Sequence, residues 1–265
     1  MKLLHAFRAL RGIMGRELLR FIHQRERFVS ALVRPLMWLF IFAAGFRSTL
    51  GVAIIPPYET YILYEVYITP GLLGMVQLFN GMQSSLSMVY DREMGSMKTL
   101  LITPLPRSFL LTAKLLAGVL VSILQAYVFL LIAWLYGIEA PMMGYVWVFP
   151  ALILSGLMLG ALGLLLSSFI KQLENFAGVM NFVIFPMFFL STALYPLWRI
   201  QESSLLLYRI SELNPFTSAV ELIRFALYGQ FNPAAAAVTA AATGVFLGLA
   251  ILGYQPSRAS MAKRG

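Results

Sequence analysis

The 265-residue sequence contains no cysteine and only two histidines. Disulfides, thiolate metal sites and cysteine nucleophiles are thereby excluded, and imidazole chemistry is confined to His5 and His23, both in a basic N-terminal stretch. Charge is scarce as well: Asp, Glu, Lys and Arg together make up 12% of the chain, too little to cover a soluble domain of this size. Acidic groups are the scarcer sign, 11 against 20 basic ones, and no carboxylate pair sits at helical spacing within an apolar run. GxxxxGK[ST], HExxH and GxSxG are all missing. The chain therefore has no P-loop with which to bind ATP, and no catalytic or metal-binding set can be assembled from it.

What is present is apolar: 60% of the residues are hydrophobic and mean hydropathy is +0.80. Mostly apolar stretches of the length needed to cross a hydrocarbon core of about 30 Å recur along the chain. The expected class is an all-α integral membrane protein with six transmembrane helices. They are placed at about Phe28–Phe46, Tyr64–Val89, Phe109–Tyr136, Val146–Phe169, Phe176–Leu194 and Ala234–Tyr254. A net charge of +9 does not point to nucleic acid, because the basic residues lie between and around the spans. The first thirty residues carry too many arginines and no short apolar core ending in a cleavage site, so no signal peptide is expected and the first span should act as the membrane signal. Residues 1–27 interleave Lys2, Arg8, Arg11, Arg16, Arg20, Arg25 and Arg27 with apolar residues at 3, 7, 10, 14, 18 and 21. That spacing predicts an amphipathic helix along an anionic lipid surface or against protein.

With the N-terminus inside, sixteen of the twenty basic residues fall on the cytoplasmic side. The outer side keeps Arg47, Arg199, Arg209 and Arg224 against six glutamates. Both termini, including the tail 255–265, are therefore expected in the cytoplasm, and 28–254 forms the membrane domain. On the outer side, residues 195–229 carry too many charges to span and are divided by Asn214-Pro215. Two short helices dipping into the outer leaflet, or a surface amphipathic loop, are expected there.

Within the second span Gln77, Asn80, Ser84 and Ser87 fall on one helical stripe, flanked by Gln83 and Ser85. The stripe either lines a translocation route or supplies hydrogen bonds between helices. Pro70 and Pro186 permit kinks, and beside the latter Phe182, Phe185, Phe188 and Phe189 form an aromatic constriction or ordinary packing. Gly156 with Gly160, and Gly244 with Gly248, are small-residue pairs of the kind that bring helices close.

Between the second and third spans lies "YDREMGSMKTLLITPLPR", residues 90–107, charged and amphipathic and on the cytoplasmic side. Its ladder of Glu93, Gly95, Ser96, Leu100, Leu101, Thr103, Pro104 and Arg107, followed by Lys114, resembles the corresponding connection of the type-2 ABC-transporter permeases. "NPFTSAVELIRFALYG", with Asn214, Pro215, Arg224 and Gly229, is similar to that family's Asn-Pro element before the last span. Ser96 stands where threonine is commoner. The resemblance implies a half-transporter of the bacterial or archaeal plasma membrane: two permease copies, as a homodimer, with separate ATP-binding subunits that hold ATP and Mg. It also implies that residues 90–107, with Asp91, Arg92 and Glu93 at their polar end, form a coupling helix against the ATPase. The path would run by Gln77, Asn80, Ser84, Ser87, Phe182 and Phe185, beneath a lid containing Asn214, Pro215, Glu221 and Arg224. An ion-gradient transporter or channel, or a membrane scaffold, is the alternative.

Overall fold

The computed structural model describes residues 3–23, 25–46, 55–93, 106–170 and 172–254. Among these the chain is helical without strands, in ten helices: α1 Leu3–His23, α2 Arg25–Phe46, α3 Tyr64–Glu93, α4 Arg107–Leu135, α5 Gly144–Phe169, α6 Leu173–Phe189, α7 Leu197–Ser203, α8 Leu205–Leu213, α9 Pro215–Leu227 and α10 Pro233–Gly253. Among the described residues, three stretches are long and apolar enough to cross a membrane: Ser108–Leu135 in α4, α5 and α10. Shorter apolar stretches run over Leu32–Phe42 in α2 and along α6. α3 is easily long enough, about 45 Å at 1.5 Å per residue, but its polar stripe lowers its hydropathy.

That same stripe explains why α3 sits at the centre. An amide in hydrocarbon must find a partner, and only a helix surrounded by others can satisfy several. α3 packs against α2, α4, α5, α6 and α9, and every residue from 67 to 82 is buried. Its closest neighbour is α5, where glycines remove the obstacle of side chains. A Cβ added at Gly81 would lie 2.8 Å from the Leu159 carbonyl oxygen, and one at Gly163 would lie 2.6 Å from the Gly81 carbonyl oxygen. Gly156 and Gly160 also face neighbours on α3 and α4, whereas Gly244 and Gly248 of α10 face open space in this chain.

α1 packs against α4, with Arg8, Arg11 and Arg16 exposed and Leu10, Ile13, Met14 and Leu18 half-buried. α2 tolerates Arg34 by laying its guanidinium 4.3 Å above the Phe79 ring. Trp38 of α2 stacks on Phe42 and meets Phe188 and Phe189 of α6 edge-on, at 5.9 and 5.6 Å.

Two boundaries differ from expectation. The fifth span ends at Phe189, five residues early, because side chains from elsewhere take the carbonyls beyond it. Tyr67 and Arg224 both donate to the Thr192 carbonyl, Tyr64 donates to that of Leu194, and the Asn214 amide donates to those of Met187 and Leu190. The 195–229 segment holds three short helices rather than two. The extra break falls at Ser204, which is extended and caps α8 by accepting from the Leu207 N–H.

Candidate functional site

Three groups of residues hold the positions expected to be functional, and the bundle places them apart. The first is the connection between α3 and α4. Gly95, Ser96, Thr103 and Pro104 lie outside the described residues. Asp91 and Arg92 belong to the last turn of α3, and Arg107 opens α4. Glu93 is exposed at the end of α3, and one carboxylate oxygen (Oε2) accepts from the backbone N–H of Leu173, at 3.1 Å, eighty residues along the chain. The start of α6 is thus held by a side chain from α3.

The second group is the polar stripe of α3. Gln77 is almost fully buried; its Nε2 donates to the Leu152 carbonyl at 2.7 Å and its Oε1 accepts from Ser155 Oγ at 2.5 Å. Asn80 donates through Nδ2 to Gln125 Oε1 of α4, also at 2.5 Å. Ser87 returns its hydroxyl to the Ser84 carbonyl within the helix. Gln77, Ser84, Ser85, Lys114 and Ser122 meet apolar and glycine neighbours around a small cavity of about 10 Å³, room for about one water. Within this copy the stripe joins α3 to α4 and α5.

The aromatics of α6 behave differently. Phe188 is fully buried against Phe216 and Trp38, but Phe182 is 79% exposed and Phe185 is 39% exposed. With Glu174, Gly178 and Asn181 they make a face of α6 that is exposed among the described residues.

The third group is at the opposite end of α6. Asn214 is spent completely: Oδ1 accepts from the Phe216 N–H at 3.0 Å, capping α9, and Nδ2 donates to the Met187 and Leu190 carbonyls at 2.8 and 2.6 Å. Pro215 follows at the first helical position, where its fixed φ suits the helix start. Glu221 and Arg224, one turn apart on α9, form an ion pair. The Arg224 guanidinium also donates to the Thr192 carbonyl at 2.7 Å and lies 4.2 Å above the Tyr67 ring. Arg224 is only 1% exposed, so the guanidinium is held by these groups rather than by water. Nearby, burial pushes the Tyr58 hydroxyl of the 55–63 loop well above the usual tyrosine range. α9 packs into α3, α5 and α10 and is a fixed part of the bundle.

The family model described as ABC-2 type transporter matches residues 8–228, from α1 to the end of α9. The chain belongs to the ABC-2 type transporter family. It is 30% identical over 220 residues to a protein of Cyanophora paradoxa named as transport permease ycf38, covering 77% of this chain and 70% of that one. A Porphyra purpurea protein of the same name is 25% identical over 219 residues, 82% of this chain and 72% of its own. A protein of Escherichia coli (strain K12) named as multidrug ABC transporter permease YbhR is 28% identical over 171 residues, 63% of this chain and 45% of its own. The chain is therefore a membrane permease of an ABC transporter, and the family implies a separate ATP-binding subunit as its partner.

Sequence reasoning missed several partners in these groups. Gln125 is a lone amide in an apolar span, and that isolation was the available signal that another helix must supply its mate. Thr192, Tyr58 and Tyr67 gave no such signal, because their roles depend on where α6 stops and α9 returns.

Proposed function

We propose that this ABC-2 permease works as a dimer of identical copies, each served by a separate ATP-binding subunit, and exports a hydrophobic or amphiphilic substrate across the plasma membrane. The observation that carries this reading is the family match, which runs through both the 90–107 connection and the Asn214-Pro215 element. The excess of basic residues on one side supports placing both termini, and the 90–107 connection, in the cytoplasm. In that orientation the connection is the coupling helix. Its charged end, Asp91 to Lys98, offers charge-assisted contacts to a soluble partner, with ATP and Mg²⁺ bound there.

The uncovered face of α6 supports a path between copies. Asn181 on a span facing hydrocarbon would leave an amide without partners, which favours a protein or watery surface opposite it. Phe182 and Phe185 would then meet the substrate, and Gln77 and Asn80 would act behind them by holding α3 to its neighbours. The α9 helix, fixed by Asn214 and Arg224, would close the outer end. The basic face of α1 would rest on lipid headgroups.

The test is transport of a fluorescent amphiphile by proteoliposomes containing this chain and its co-purified ATPase. Uptake is expected with ATP inside the compartment of the ATPase and none with an imposed ion gradient alone. Gradient-driven movement without ATP would favour a secondary transporter, and no movement under either condition would favour a scaffold.

A further inference from the structure

The N-terminus of α6 lacks a cap of its own. Gln172 stands at the cap position with extended backbone, yet its side chain makes no capping bond, because its Oε1 accepts from the Asn175 amide at 2.7 Å. The first N–H groups of a helix have no partner within it. Here the first, from Leu173, is taken by Glu93 of α3 at 3.1 Å.

Charge at this helix end is already supplied by Glu174 in the first turn. What Glu93 adds is a connection, since it sits on α3 at the entry to the 90–107 segment. α6 is therefore held at both ends by unequal means. At the Phe189 end it is held by the Asn214 amide, by Tyr67 and Arg224 on Thr192, and by Trp38 against Phe188 and Phe189. At the Leu173 end Phe176 is fully buried, and the bond across from α3 is exposed to solvent. Between these ends lies the uncovered face with Asn181, Phe182 and Phe185.

Building on the proposed coupling role, we infer that Glu93 is a positioning residue that ties the cytoplasmic end of α3 to the start of α6. Movement of the coupling segment is passed through this tie to the helix bearing Phe182 and Phe185, as well as along α3 and α4. With its outer end fixed, α6 swings about that end when Glu93 moves. This role is additional to docking the ATPase, because one carboxylate oxygen is engaged inside the permease.

The experiment uses Glu93→Gln and Glu93→Ala in the full chain, with spin labels at Tyr90→Cys and Gly178→Cys; both positions are exposed and the native chain has no cysteine to interfere. Three quantities are read: the distance distribution between the labels, recovery of the ATPase, and ATP-driven transport by the unlabelled variants. Gln keeps an oxygen that accepts from the Leu173 N–H, so its label distances and transport should stay close to the native values. Ala should broaden the distances and reduce transport by about tenfold, within the range for residues that carry coupling, while the ATPase still co-purifies and hydrolyses ATP. Native-like distances and transport in the Ala variant would overturn the tie. Loss of the ATPase with unchanged distances would also overturn it, and would make Glu93 a docking contact. The distance measurement needs no ATPase, so it decides the tie even if the native chain recovers none, a result that would sink the coupling reading itself.

Discussion

The Glu221–Arg224 pair makes an unequal prediction. Arg224 is 2% exposed in its side chain and Glu221 is 22% exposed. Replacing Glu221 by Leu leaves a guanidinium that cannot lose its proton, in a buried site and without its counter-ion. Removing one partner of a buried pair costs about 3–5 kcal/mol. The surviving bond to the Thr192 carbonyl and the Tyr67 ring place the expected loss near the lower end, about 3 kcal/mol. Replacing Arg224 by Met is gentler. The Thr192 carbonyl keeps the Tyr67 hydroxyl at 3.0 Å, Glu221 can turn to solvent, and the burial penalty of the charge disappears. A loss of about 1 kcal/mol is expected, and the double variant should resemble Arg224→Met.

At roughly 2–4 °C per kcal/mol for a chain of this size, Glu221→Leu should lower Tm by about 6–12 °C and Arg224→Met by about 2–4 °C. Thermal unfolding in detergent, followed by tryptophan fluorescence, measures both. The reasoning is refuted if Arg224→Met is the more damaging change, or if Glu221→Leu unfolds with the native protein.

Asn214→Asp keeps an equally good helix cap but turns an acceptor-only group toward the Met187 and Leu190 carbonyls; it should lose about 2–4 kcal/mol, whereas a simple capping role would predict no change in the same melt. Gln77→Leu and Asn80→Leu should each lose about 1 kcal/mol or less with transport retained, since interhelical bonds of this kind average about 0.6 kcal/mol; loss of transport without loss of stability would instead put the stripe in the path. The raised Tyr58 pKa means that the folded state holds this proton more tightly than the unfolded chain. Its contribution is full below pH 10 and is lost as pH rises beyond it, so Tyr58→Phe should flatten the fall of Tm at alkaline pH.

The architecture was legible where composition decides it. Long apolar runs gave α4, α5 and α10, the basic amphipathic spacing gave α1, and Asn214-Pro215 marked the start of α9 because both residues favour a helix N-terminus. The end of α6 was not legible, since Pro186 is tolerated within the helix and the stop comes from distant tyrosine, asparagine and arginine side chains. The stripe on α3 was visible by its period, but its partners Ser155 and Gln125 follow from how α4 and α5 wrap around it. Glu93 stood out through the motif around it, whereas its bond to Leu173 depends on folding across eighty residues.

The central claim is that this permease is driven by a separate ATP-binding subunit through residues 90–107. The measurement that meets it most directly is a detergent pull-down of the tagged chain from its own cells, with mass spectrometry of the co-eluting proteins, repeated with residues 90–107 scrambled. The account predicts a P-loop ATPase with the native chain and none with the scrambled one. An ATPase recovered equally from both would contradict the coupling site, and no ATPase from either would contradict the claim as a whole.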